Sequence, residues 1–365
     1  MKFVVETMTH TLFPTVAAML APDVMSEMTG LMITAVSQQP LSSEYGRSGS
    51  RILLVTTNHG QGPSYILKRV SLEWDWLMRS TKDTLCRSVT LWQHGILDQM
   101  PPEIEHGVVA CSHDGDGWAI LMENVGDMIV LFDPFTEAEN AFFINAMAAV
   151  HAQFWQNDVL DNPDLGLCEL CDIFNMFNPR TARVELNGDN NIPRRVIEGW
   201  ELSQFNLPTD VFQILQSLLD DATPFCDALA QYPHTLVHGD WRHANQACAP
   251  GVPHLYLLDW QLAVPAPPVV DLARYLITNS PLLPVSKDAV IEIYRHKLAA
   301  RLGEQFSDEW WEPQLALSLL GGFLQDGWAV VLKATNWRVG ARNREQWRAD
   351  LVWWSEWVRA GAKWL

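Results

Sequence analysis

The sequence predicts an α+β fold of two lobes, a small antiparallel sheet followed by a larger, mostly helical lobe. Three observations carry this. Short alternating apolar runs separated by Gly-, Ser- and Asn-rich turns occupy residues 31–125, apolar spacing becomes helical from about Thr136, and composition shifts between them near Asn124 to Gly126. The expected division is 1–124 and 125–365, and 365 residues that are 48% hydrophobic with 17 tryptophans suffice to fill both.

The N-terminal stretch "MKFVVETMTHTLFPTVAAML" has Lys2 as its one basic residue, and Glu6 and His10 interrupt its apolar run, so it reads poorly as a signal peptide. No apolar run elsewhere is read as long enough to span a membrane, which makes a soluble cytoplasmic protein the expectation. Strands follow in "LMITAVSQQPL", "RILLVTT" and "YILKRV", joined by "SSEYGRSGS" and "NHGQGPS" as two hairpins. A polar helical stretch containing "DTLCRSVTLWQHGIL" leads to two more runs, "GVVACSH" and "WAILMENV", around "DGDG". The result is a five-stranded antiparallel sheet with one inserted helix.

From "FTEAENAFFINAMAAVHAQFW" the pattern is helical, with Phe142, Ala146, Ala149 and Phe154 at helical spacing, and helices continue to about Gln231. Two short apolar runs, "HTLVHGD" and "HLYLLDW", then end in aspartates, as strands that could lie side by side, before a helical C-terminus. Trp347, Leu351, Trp354 and Val358 share one helical face, and Trp353 and Trp357 a neighbouring stripe. A packed core explains such stripes better than an aromatic substrate pocket.

A net charge of −18 without a basic stripe argues against nucleic acid. Six cysteines form no disulfide ladder, so reduced thiols are expected. Cys168 and Cys171 form one CxxC, but no second ligand pair completes a zinc site, which favours two buried thiols on one helical turn.

The chemistry concentrates in "LVHGDWRHANQ" and "LLDWQ". Asp240, Asn245 five residues on, and Asp259 supply three oxygen-bearing side chains at strand ends, a donor set suited to magnesium. Lys68 sits in the apolar run "YILKRV", where a lone cation needs a partner such as a nucleotide phosphate. Ser48, Gly49 and Ser50 precede it in a hairpin loop, and glycine there lets backbone N–H groups approach phosphate. Singly each feature is commonplace, but in this order they supply the parts phosphoryl transfer needs.

"HGDWRHAN" together with "LLDWQ" resembles the signature of the aminoglycoside phosphotransferase and choline kinase family, whose fold is similar to that of protein kinases. The resemblance extends to "WAILMENV" as the hinge, "AVHAQFW" and "VVDLARYL". It implies an ATP- and magnesium-dependent kinase acting on a hydroxyl of a small molecule. Asp240 would be the catalytic base or orienter, Asn245 and Asp259 magnesium ligands, and Lys68 a phosphate contact. Glu123, Asn124 and Val125 would form the adenine hinge, whose largely backbone recognition also admits GTP. His238 reads as a structural hydrogen-bonding residue and Asp271 as an anchor for the signature loops. Arg242 could meet phosphate or pair with a neighbouring carboxylate.

Two departures stand out. The glutamate that such folds place opposite the strand lysine is replaced by Ser88, with Glu73 the candidate substitute, and Gln261 follows "DW" where an acid is usual, so it is assigned no role. Only eleven residues separate Asp259 from Asp271, too few for a protein-kinase activation segment. The class alternative is a non-catalytic, pseudokinase-like nucleotide-binding module. The acceptor's identity and the oligomeric state are not written in these motifs. Between Leu121 and Tyr232, eighteen Asp and Glu against four Arg give a local charge of −14. This is either an acidic wall that draws in a cationic, amine-bearing acceptor or a solvated face that aids solubility.

Overall fold

The computed structural model describes residues 8–41, 48–188, 190–249, 251–338 and 340–365. Two short helices that the sequence pattern does not announce, α1 (Val16–Met19) and α2 (Pro22–Thr29), lead into the sheet. Strands β1 (Val36–Pro40), β2 (Arg51–Thr57) and β3 (Ser64–Val70) run antiparallel in sequence order. Most of the first connector, and the first seven residues of the signal-peptide question, lie outside the described residues. After β3 the expected single helix is two, α3 (Trp76–Ser80) and α4 (Arg87–Gln93), because the chain turns through left-handed backbone at Lys82 and Cys86. The stretch read as polar is buried from Arg87 to Trp92.

The short strand β4 (Ile104–Glu105) precedes the hairpin β5 (Val108–Asp114) and β6 (Gly117–Glu123). The sheet order β1-β2-β3-β6-β5 puts β3 at its centre and confirms the five-stranded antiparallel expectation. Alternation along β3 sends Tyr65 and Leu67 into a small core with Met19, Met25 and Val55, and turns Ile66 and Lys68 to the opposite face.

The helical region opens with α5 (Glu137–Gln153), started by a capping box between Thr136 and Glu139. Of its four marked positions Ala146, Ala149 and Phe154 are buried and Phe142 partly so. Then come α6 (Leu170–Asn175), α7 (Pro179–Val184), α8 (Ile192–Asn206), α9 (Thr209–Asp220) and α10 (Thr223–Leu229). Short strands follow: β7 (Thr235–Val237), β8 (Gln246–Ala247), β9 (Leu255–Leu257) and β10 (Val264–Ala266). The last helices are α11 (Val269–Thr278), α12 (Lys287–Leu302), α13 (Asp308–Thr335) and α14 (Arg344–Gly361).

Three expectations are corrected. The strands ending in Asp240 and Asp259 are not partners: β7 pairs with β10, whereas β9 pairs with β4 and β8, because the chain between them folds back as a hairpin on β9. Cys171 and Cys226 form a disulfide that joins α6 to α10 with Cα atoms 5.6 Å apart, so the thiols are not all reduced. Cys168 is buried and lies ahead of α6, not on its turn. Finally, α13 has an apolar stretch long enough to cross a membrane by length and composition, but that stretch is fully buried inside the protein. Its partner is α14, and Trp347, Trp354 and Val358 are completely enclosed there, as the core reading of the tryptophans requires.

Candidate active site

Strand β7 is buried at every position and ends at His238-Gly239-Asp240. Gly239 has φ +80° and a side chain there would meet the Leu262 carbonyl at 2.4 Å, so only glycine fits. The His238 and Gly239 N–H groups each donate at 2.8 Å to the Asp271 carboxylate near the start of α11, which His151 also contacts at 3.2 Å. Asp271 is thereby the anchor of the loop. The His238 ring bonds the Leu258 carbonyl at 2.9 Å and ties the two signature loops together, and burial lowers its pKa, as suits a neutral structural imidazole.

The anchored loop presents Asp240, whose two oxygens are fully engaged. Oδ1 accepts from Arg274 Nε and Nη2 at 2.9 and 2.7 Å, and Oδ2 accepts from Arg242 Nε at 3.0 Å and Asn245 Nδ2 at 2.8 Å. Burial opposes ionisation, yet Arg242 and Arg274 outweigh it and hold the carboxyl well below the usual carboxylate range. Arg242 therefore takes the carboxylate-pairing role of its two expected ones. Arg274 also pairs with Asp326 of α13. Sequence reasoning missed Arg274, although it lies three residues after Asp271 on one helix and so on a similar face.

Asp259 adopts left-handed backbone, φ +66°, an uncommon conformation for a residue with a side chain. Its Oδ1 accepts from Lys68 Nζ at 2.6 Å. Lys68 is almost wholly buried between Ile52 and Ile120 on the flanking strands. Burial disfavours its charge, but Asp259 and then Asp75 prevail and raise its pKa. Glu73, the expected substitute partner, is exposed. Ser88 lines the cleft beside Lys68.

The cleft brings together Ser48, Ser50, Lys68, Glu123 and Val125 with Asp240, Asn245 and Asp259. Gly49 and Asn124 do not line it. Gly49 has φ +104° and packs where a side chain would strike the Trp74 carbonyl at 2.5 Å, which explains the glycine by packing. Asn124 turns its amide to the Ser64 hydroxyl at 2.8 Å. Of the Asp and Glu of the acidic segment among the described residues, only Glu123 lines the cleft, and its carboxylate accepts from the Tyr256 hydroxyl at 2.9 Å. The C-terminal tryptophans stay out of it; among the described residues Trp76 and Trp260 are the tryptophans that line it.

Asn245 donates through Nδ2 to Asp240, which leaves its Oδ1 free of donors among the described residues, and Asp259 keeps one oxygen clear of Lys68. Two hard oxygen donors fit magnesium, which keeps water and phosphate ligands. No cluster of three or more His, Cys, Asp or Glu able to hold a metal exists among the described residues.

Similar solved structures include a choline kinase from Streptococcus pneumoniae, 14% identical over 90% of this chain and 98% of that one, with a TM-score of 0.47. An aminoglycoside phosphotransferase from Streptomyces rimosus, solved with ADP and streptomycin, is 16% identical over 77% and 94% with a TM-score of 0.44. A choline kinase from Cryptosporidium parvum is 9% identical over 90% and 89% with a TM-score of 0.48. No curated protein matches the chain. The sequence model of the Phosphotransferase enzyme family matches residues 44–310, a span that holds Lys68, both signature loops and Asp271. The chain belongs to that family, as a small-molecule kinase acting on a hydroxyl group.

Proposed function

We propose that the protein transfers the γ-phosphoryl group of ATP to a hydroxyl of a small molecule held between a nucleotide lobe, residues 1–124, and an acceptor lobe, residues 125–365. The observation that carries this is the meeting of Lys68, Asp240, Asn245 and Asp259 in one cleft. Lys68 would leave Asp259 for the phosphates, under the loop of Ser48, Gly49 and Ser50. The backbone of Glu123, Asn124 and Val125 would take the base, and GTP would meet the same groups. Asn245 and Asp259 would hold magnesium, which when bound offsets charge on the phosphate oxygens.

Asp240 stays ionised under its two arginines, so it is a weak base, and its role is to orient the hydroxyl. The hydroxyl oxygen attacks the γ-phosphorus, the bond to the leaving diphosphate breaks, and the hydroxyl proton passes late, along its hydrogen bond to Asp240 and from there to water, as the new bond forms. To receive the hydroxyl, Asp240 must release one of its four donors. Arg242 is the one whose terminal nitrogens carry no other bond among the described residues, so it would swing to the phosphoryl oxygens. Retention of Asp240, Asn245 and Asp259 favours turnover over a silent nucleotide-binding module.

The local charge of −14 supports an amine-bearing acceptor drawn in by the long-range field, since among the described residues its carboxylates touch the cleft only at Glu123. ATP consumption, with and without magnesium, across amino sugars, amino alcohols and neutral alcohols tests the function. Magnesium-dependent turnover with one acceptor class supports it, and its absence with every class refutes it. Acceptor affinity that weakens with salt supports the amine, whereas a salt-insensitive neutral acceptor removes it.

A further inference from the structure

Lys68 raises a problem that the signature residues leave open. Its hydrogen bond goes to Asp259, which the phosphotransfer reading needs for magnesium. A buried ammonium stripped of the carboxylate it bonds is costly, and Ser88 on α4 cannot supply another.

Asp75 can. It is fully buried at the start of α3, directly before Trp76 and Leu77, which line the same cleft as Lys68. Its Oδ1 is committed: it accepts from the Leu77 and Met78 N–H groups at 3.0 and 3.1 Å and from Gln261 Nε2 at 3.1 Å. Among the described residues its Oδ2 is buried with no well-formed hydrogen bond, and the Ser48 hydroxyl is the nearby side chain that also favours the ionised carboxylate. A buried carboxylate oxygen left unmatched is rare and calls for a cation. Asp75 is moreover tied to both halves of the site, through Gln261, two residues beyond Asp259, and through the Trp76 N–H, which donates to the Ser48 carbonyl at 3.0 Å. The other buried acid nearby, Asp83, is taken up by the N-terminus of α4 and Arg87.

We propose that Asp75, through its Oδ2, is the carboxylate that positions Lys68 for the nucleotide phosphates, in place of the glutamate absent at Ser88. It is a positioning residue, because it acts through Lys68. Gln261, to which the sequence assigns no role, then holds Asp75 in register with the metal-binding loop.

The inference rests on the phosphotransfer reading, and the test separates the two. Asp75→Asn keeps an oxygen for the α3 cap and Gln261 and alters only the Oδ2 position. Calorimetry with magnesium-ATP on the full chain is expected to show affinity about tenfold weaker, the scale of one charge-assisted contact, with a matching fall in kcat and an unchanged melting temperature. Adding Ser88→Glu should restore both affinity and kcat, and Ser88→Gln should restore neither. Wild-type affinity within twofold in Asp75→Asn overturns the inference. A loss of melting temperature, or of affinity, that Ser88→Glu leaves uncorrected assigns Asp75 to the cap alone and also overturns it. Failure of the wild-type protein to bind magnesium-ATP overturns the phosphotransfer reading and this inference with it.

Discussion

Replacing Arg274 by methionine keeps the length of the stem and removes the charge. Arg274 is only 3% exposed, bonds Asp240 twice and pairs with Asp326, whose side chain is 4% exposed. Its loss leaves Asp326 as an uncompensated buried charge and Asp240 with Arg242 and Asn245 alone. Breaking a buried pair from one side costs about 3–5 kcal/mol, so the urea midpoint should fall by a corresponding amount. Asp326→Leu alone should also destabilise. The double variant Arg274→Met/Asp326→Leu should recover about 1–3 kcal/mol over the sum of the singles, because no charge is then left unpaired at Asp326. Its kcat should nevertheless stay low, on the order of a hundredfold down, since Asp240 has lost two of its four donors and with them its fixed orientation. Additive singles, a loss below about 1 kcal/mol for Arg274→Met, or a double variant with normal kcat would refute the reasoning.

Asp259→Ala should abolish the magnesium dependence of nucleotide binding, read by calorimetry with and without chelator, because one of the two proposed metal ligands is gone. Asp271→Asn should cost about 1–3 kcal/mol in urea unfolding, as one of the loop's buried N–H groups then faces an amide donor. Asp83 is pushed up to about 6, chiefly by burial and against the pull of Arg87. Its folded pKa thus exceeds the unfolded value of about 3.9, and its contribution is fully present below about pH 4 and lost as pH rises through 6. Asp83→Asn should therefore stabilise the fold at pH 8, by up to about 3 kcal/mol, with the gain shrinking toward pH 5 in melting curves taken across that range.

The readable parts of this protein were those written locally. Strands β2, β3, β5 and β6 follow from alternation between Gly-rich turns, and α5 from helical spacing after Thr136, whose capping partner Glu139 is three residues away. Both signature loops are runs of contiguous residues. What the sequence hid depends on partners far apart in the chain. Gln261 meets Asp75 across 186 residues, and Cys171 meets Cys226 across 55. The pairing of β7 with β10 and of β9 with β4 was equally hidden, because strands two or three residues long carry too little pattern to choose a neighbour. The apolar length of α13 shows the same limit, since a core helix enclosed on all sides has the composition of a membrane span. The sequence suggests phosphate approach for Gly49, but its φ and the Trp74 carbonyl already demand glycine.

The central claim is that Asp240 orients the attacking hydroxyl while Lys68, Asn245 and Asp259 hold the magnesium nucleotide. Asp240→Asn tests it most directly, with magnesium-ATP affinity and turnover measured on the same preparation against the best acceptor. The account predicts affinity within about twofold of wild type and kcat lower by about 100- to 10,000-fold, since orientation and proton handling matter in the transition state and not in nucleotide binding. Turnover close to wild type, or a loss confined to nucleotide affinity, would contradict it.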